Sequence, residues 1–208
     1  MLNRYELKVR ITFMDDVLGS WPNKKNIFEE FIASKAPDAK TREQNVEALG
    51  VEEVVRQDKT VFPRDRDGNP CLMAYQIKGF LKEACKSIKR LKGVETKSAK
   101  MASHIKVIDG NIFVEPDTIP FSHGVASEDC ARSLRASTAQ GDRIAIANSE
   151  VVPVSAQMEF TIVYFDKAHY EPIKEWLDYG VYRGLGQWRN SGKGRFRWEE
   201  ISNDYVTV

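Results

Sequence analysis

Apolar and polar residues alternate without a break from Tyr5 to Phe13: Tyr5, Leu7, Val9, Ile11 and Phe13 are separated by Glu6, Lys8, Arg10 and Thr12. Successive side chains of a strand point to opposite faces, so this pattern predicts a strand buried on one side. The same alternation at Ala156, Met158, Phe160, Ile162 and Tyr164 predicts a second one. Between them, Ile77, Phe80, Leu81, Ala84, Cys85, Ile88 and Leu91 recur at helical spacing, with Lys78, Lys82, Lys86 and Lys89 on the other face. That stretch predicts a long amphipathic helix. A shorter helix is predicted over residues 168–179, with Ile173, Trp176 and Leu177 inward and Gly180 as its stop. A last strand is predicted around residues 196–201.

The remaining stretches are less regular. Gly19 and Pro22 predict a loop after the first strand. Residues 26–57 read as broken helix, with Asn26 as a cap, Pro37 as an interruption and Thr41 with Gln44 as a capping box. Asp67-Gly68 and Asn69-Pro70 predict a hairpin tip within residues 61–72. Asp109-Gly110, between HIKVI and NIFVE, predicts a two-residue hairpin. Residues 121–142 form a long polar excursion. The order strand, long helix, hairpin, strand, helix, strand predicts one α+β domain over residues 1–208. Its core would be a ferredoxin-like (RRM-like) βαββαβ unit with insertions roughly at 15–72 and 117–150.

Bulk composition narrows little. The net charge of +1 removes any overall polybasic character, so a nucleic-acid signal must come from local clustering. Cys71, Cys85 and Cys130 lie far apart and form no CxxC pair, which argues for a reducing compartment and against a zinc ribbon. The charged start MLNRYELKVRITF does not read as a signal peptide, and no long apolar run predicts a membrane span. A cytoplasmic protein without a membrane partner is expected.

Local clustering is strong near the C-terminus. In GLGQWRNSGKGRF, residues 184–196, Gly184, Gly186, Gly192 and Gly194 interleave with Arg189, Lys193 and Arg195. Arg183 and Arg197 flank the loop, and no acid occurs between Arg183 and Trp198. Glycine lets backbone N–H groups approach a ligand, and guanidinium forks suit phosphate. The loop therefore reads either as a phosphate cradle or as a surface connection. Trp188 reads either as a base-stacking ring or as a core anchor. Residues 78–106 add nine Lys or Arg against Glu83 and Glu95. Lys86, Lys89, Arg90, Lys97 and Lys100 either extend an RNA track or form a solvated helix face.

Two stretches carry a family resemblance. The block from Val152 to Glu199, in which VPVSAQMEFTIVYF leads through a helix into GLGQWRNSGKGRF, resembles the C-terminal part of the RAMP superfamily of CRISPR-associated proteins. AYQIKGFLKEACKSIKR, with Ile77, Gly79, Leu81 and Lys82, is similar to the entry of that superfamily's first helix, and MDDVLGSWP sits where many members carry a glycine-containing loop. The resemblance covers about half the chain and implies an RNA-binding ferredoxin-like domain, often a repeated backbone subunit of a ribonucleoprotein. It implies RNA, other subunits and head-to-tail copies as partners. It also implies that residues 134–150, with nearby Arg132, Arg135 and Arg143, form a thumb-like hairpin; an ordinary edge hairpin is the alternative. Gln187-Trp188 departs from the pattern, since a further glycine or basic residue is common there.

Chemistry of its own is not predicted. A processing ribonuclease needs a base within reach of the attacking 2′-hydroxyl, and of His104, His123 and His169 only His123 lies in a polar, glycine-containing segment. Asp15 and Asp16 form either a metal-dependent cleavage site or a polar turn. Asp65, Asp67 and Asn69 lack the remaining ligands of a calcium loop. No cofactor or metal is expected. The expected function is a non-catalytic backbone subunit that grips RNA with the basic glycine loop. The alternatives are an endoribonuclease processing CRISPR RNA and a phage or mobile-element mimic that joins or blocks a host complex.

Overall fold

The computed structural model describes residues 3–23, 59–99, 101–122, 125, 127–138 and 141–207. The helices expected within 26–57 lie outside these residues, as do Lys100 and His123. In chain order the strands are β1 (Asn3–Phe13), β2 (Val17–Leu18), β3 (Trp21–Pro22), β4 (Thr60–Val61), β5 (Cys71–Met73), β6 (Ile112–Glu115), β7 (Thr118–Pro120), β8 (Glu128–Thr138), β9 (Gly141–Val152), β10 (Gln157–Tyr164) and β11 (Phe196–Thr207). The helices are α1 (Ala74–Ile88), α2 (His104–Asn111) and α3 (Tyr170–Asp178).

The strand with the strictest alternation sits inside the main sheet. β1 pairs antiparallel with β10 on one side and β11 on the other, and β6 closes the far edge beyond β10. Along β1–α1–β6–β10–α3–β11 the spatial order is fourth, first, third, second, so the expected βαββαβ core is present. Leu7, Val9, Ile11 and Phe13 point to the helix side and are buried against Ile77, Phe80, Leu81 and Ile88 of α1 and Ile173, Trp176 and Leu177 of α3. Each such side chain contributes about 1.5–3 kcal/mol on burial, which fixes the helices to this one face.

The other face of the sheet is polar. Arg10 bridges Glu159 (2.6 Å) and Glu199 (2.8 Å), and Arg4 bridges Glu6 (2.7 Å) and Glu115 (3.0 Å). The Arg10 guanidinium holds the Glu159 carboxyl below its usual range. β1 and β10 present Glu6, Lys8, Arg10, Thr12, Gln157, Glu159, Thr161 and the buried Val163 here, with no ring. The stacking platform of an RRM is therefore absent from the two central strands of this face.

The two predicted insertions meet in a second sheet. β9 pairs with β8 over its whole length, with β2 antiparallel and with β4 parallel, and β3 adds onto β4. Its base is held by Glu150, 3% exposed, which accepts from the Phe62 N–H (2.8 Å), pairs with Arg64 and accepts from the Ser127 hydroxyl. The tip predicted in residues 61–72 is closed by an Arg64–Pro70 bridge and by the Asp65 carboxylate, which accepts from the N–H groups of Asp67 and Asn69.

One predicted turn is a helix. Asp109-Gly110 lies inside α2, because Ile108 is buried in the core and Asp109 is held by α1. Its carboxylate pairs with Lys82 and its carbonyl accepts from Lys78. Those tertiary contacts override a two-residue turn signal, and β6 takes β10 as its partner. α1 ends at Ile88, leaving Leu91 exposed beyond it. β11 runs to Thr207, past its predicted end.

Candidate nucleic-acid interface

The glycine loop is built by contact between its own two arms. A side chain at Gly184 would place its Cβ 2.1 Å from the Gly194 carbonyl carbon, and one at Gly194 would lie 1.9 Å from the Leu185 oxygen. Gly194 also sits at φ +72°, a conformation that L side chains avoid. The Leu185 N–H donates to the Gly194 carbonyl (2.9 Å), clamping the arms together. Other N–H groups are used in the same way. Those of Gly194 and Gln187 donate to the Asp16 and Leu18 carbonyls after β1, and that of Gly192 donates to Arg189. The donors expected to face an anion at Gly192 and Gly194 thus close the loop and fasten it to the segment after β1.

Its cations are paired as well. Arg183 (2.6 Å) and Arg189 (2.5 Å) share the Glu83 carboxylate of α1, Lys193 meets Asp16 (2.6 Å), and Arg195 forks onto both oxygens of Asp15 (2.7 and 3.2 Å). Asp15 raises the already high pKa of Arg195. These pairs are partly exposed, so each contributes up to about 1 kcal/mol and orients more than it stabilises. Asp15 and Asp16, weighed as a metal site, serve here as anchors of the loop. Among the described residues no cluster of His, Cys, Asp or Glu could hold a metal ion.

The basic helix contributes one stripe. Lys86 lies one turn on from Glu83 along α1, beside the Arg183–Glu83–Arg189 cluster, and Arg90 follows in the turn after the helix; both are exposed. Lys89 diverges and donates to the Met101 carbonyl. Lys97 is exposed over α3, where the N–H groups of Lys97 and Ser98 donate to Glu175 and the indole of Trp176 donates to Ser98 (2.7 Å).

A residue outside the predicted set completes the site. Arg132 of β8 reaches from the hairpin onto the loop, donating to Ser149 Oγ (2.7 Å) and Gln187 Oε1 (3.0 Å), with its guanidinium 5.1 Å from the Trp188 ring centroid. Its Nε is buried without a hydrogen-bond partner, and burial lowers the guanidinium pKa. No carboxylate pairs with Arg132 among the described residues, in contrast to Arg183, Arg189, Lys193 and Arg195. Trp188 is 38% exposed at φ +56°, a stacking partner of Arg132 and not a core anchor. The sequence signal for this contact was slight: one arginine in a run of small polar residues. Glu83, a lone acid among the lysines of α1, was a better clue to the loop's partner.

The histidines take no part in the loop. His169 is buried ahead of α3, and burial lowers its pKa. His104 opens α2; burial first, then Lys89 and Lys86, lower its pKa.

No family model and no curated protein matches the chain. A solved structure does: the chain is similar to one in the cryo-EM structure of the Type III-B Cmr-beta bound to cognate target RNA, with a TM-score of 0.52 and 14% identity. The match covers 98% of this chain and 61% of that one, and at such identity the likeness is one of fold.

Proposed function

We propose that the chain is an RNA-binding protein of the CRISPR RAMP type that grips a single strand's backbone at the junction of glycine loop, α1 and β8–β9 hairpin. The observation that carries this reading is a charge surplus: among the described residues, Arg132, Arg183, Arg189, Lys193 and Arg195 gather around only Glu83, Asp15 and Asp16. Arg132 is the unpaired cation of that group and lies against an exposed indole. A phosphate on Arg132 with a base on Trp188 would satisfy both, and Lys86 and Arg90 would carry the strand onward. The likeness to a chain from an RNA-bound Cmr assembly supports the same reading. As a backbone subunit, copies would join head to tail along the RNA, a heterologous contact that propagates. Fluorescence anisotropy with labelled single-stranded RNA tests the grip: Arg189→Ala with Lys193→Ala lowers affinity and its salt dependence. Unchanged binding in that double variant would overturn it.

An endoribonuclease is the second reading. The residue it would draw on is His104, whose imidazole stands near Lys89 and Lys86 and has its pKa lowered, by burial first. Incubation with repeat-containing RNA, comparing His104→Ala and His123→Ala with the parent, decides it: cleavage lost in either variant supports a nuclease, and intact RNA throughout removes it.

A further inference from the structure

At the far end of β1, eight residues and about 27 Å from Phe13 at the ~3.4 Å rise of a strand, the structure holds a cavity of about 430 Å³. It lies within the ~300–1,000 Å³ range of small-ligand sites. Tyr5, Tyr164 and Tyr205 stand side by side across three neighbouring strands, since Tyr5 is the register partner of both others. The Tyr5 and Tyr164 rings stack at 5.2 Å and 18°, and Tyr205 tilts against Tyr5 at 5.1 Å. Lys167, from the turn that leads into α3, and Tyr170, the first residue of α3, complete the wall with Asn203 and Asp204.

A register shift builds this wall. β11 slips by one residue opposite Lys8 and Val9, leaving Ile201 unpaired and exposed. Beyond that bulge, Asn203 and Tyr205 face the helix side, where an unbroken register would have put Ser202 and Asp204. Polar groups are fixed to match. The Tyr164 hydroxyl donates to Asn203 Oδ1 (3.1 Å), which leaves the Asn203 amide nitrogen as a donor. Tyr170 donates to Glu200 (2.7 Å), and the Asp204 carboxylate accepts from Ser202 on the opposite face. Burial pushes the Tyr164 hydroxyl up to about 12, so it stays protonated. Glu200 and Asp204 keep their negative charge behind these hydrogen bonds, and the ammonium of Lys167 is the cation of the cavity wall. Flat aromatic walls and one amide donor suit a planar base, and the Lys167 ammonium offers a contact to an anionic group on it.

We infer that this cavity is a nucleotide site, with the base on the Tyr5 and Tyr205 rings, its edge on the Asn203 amide and the phosphate on Lys167. The ligand is a free mononucleotide or the phosphorylated end of an RNA. The site is independent of the glycine loop. Isothermal titration with AMP, GMP, CMP and UMP, with adenosine, and with a short oligoadenylate with and without a 5′-phosphate tests it. Saturable binding of a mononucleotide is expected, weakened about tenfold by Tyr205→Ala, as loss of one stacking face predicts, and retained in Tyr205→Phe. Lys167→Ala should reduce AMP binding to the level of adenosine. AMP binding as tightly as the phosphorylated oligonucleotide identifies a free nucleotide; tighter oligonucleotide binding that needs its phosphate, Lys167 and Tyr205 identifies an RNA end. Absence of binding by every mononucleotide and of any effect of Tyr205→Ala or Lys167→Ala on the oligonucleotides would overturn the inference. Arg132→Ala should leave mononucleotide binding unchanged, so failure here is separable from failure of the RNA grip.

Discussion

Arg132 of the β8–β9 hairpin lies over the indole of Trp188, 5.1 Å from the ring centroid, and donates to both Ser149 and Gln187. One side chain thereby joins the second sheet to the glycine loop. Its charge has no carboxylate among the described residues, so an incoming phosphate would complete an arrangement already oriented by three fixed contacts. Arg132→Ala is expected to weaken RNA binding by about tenfold and to reduce the salt slope by about one. Arg132→Lys keeps the charge but loses the fork and the flat face, so it should recover the salt slope and only part of the affinity. Anisotropy titrations at several salt concentrations read both quantities. Equal affinity in all three proteins would remove Arg132 from the site.

Gly194 makes the loop sensitive to a single methyl. At φ +72°, with the Leu185 oxygen 1.9 Å from where a Cβ would sit, alanine forces the two arms apart. Gly194→Ala should cost more than about 2 kcal/mol, combining backbone strain with a clash against main chain. Gly79→Ala, at a helix position with open space around it, should be neutral or slightly stabilising by about 0.5–1 kcal/mol. Urea denaturation of both variants checks the contrast. Similar midpoints would mean that the arms separate without cost.

Strand and helix positions in the core were legible because burial there has a strong period: the inward residues of β1, β10, α1 and α3 are those that alternate or recur in the sequence. Partnership was not. Asp15 and Asp16 read as a polar turn or a metal site, yet each anchors a cation nearly 180 positions away. Nothing local encodes such a pair. Gly180 read as a helix stop, but its φ is not left-handed; a Cβ there would meet the Phe196 ring at 2.4 Å. Close packing of a distant aromatic ring requires the glycine, and local pattern carries no trace of it. The bulge at Ile201 was equally silent, since one unpaired residue leaves the apolar sequence pattern intact while exchanging the faces beyond it.

Glu83 holds Arg183 and Arg189 together on α1 and so competes with any phosphate for both. Glu83→Gln keeps the shape and removes the negative charge. RNA affinity is expected to rise about threefold to tenfold, with a steeper salt dependence. Thermal stability should fall only slightly, by about 1 kcal/mol or less, because the pairs are partly exposed. Reduced affinity in Glu83→Gln would instead mean that the carboxylate presents the arginines in their binding geometry.

Acid should destabilise the fold through His169. Its imidazole is buried, Nδ1 has no partner, and burial lowers its pKa below the usual 6.5, although Asp166 opposes the shift. Above pH 6.5 the side chain is neutral in folded and unfolded chains alike, and its contribution is constant. As pH falls through 6.5, the unfolded chain takes up a proton that the folded chain refuses, and stability drops until the lowered folded pKa is reached. His104 acts in the same direction, its pKa lowered by burial and by Lys89 and Lys86. Urea midpoints measured across this window should fall with pH in the parent and fall less in His169→Leu. The remaining slope should shrink further when His104→Gln is added. An identical pH dependence in parent and double variant would show that neither imidazole is charged on unfolding in this range.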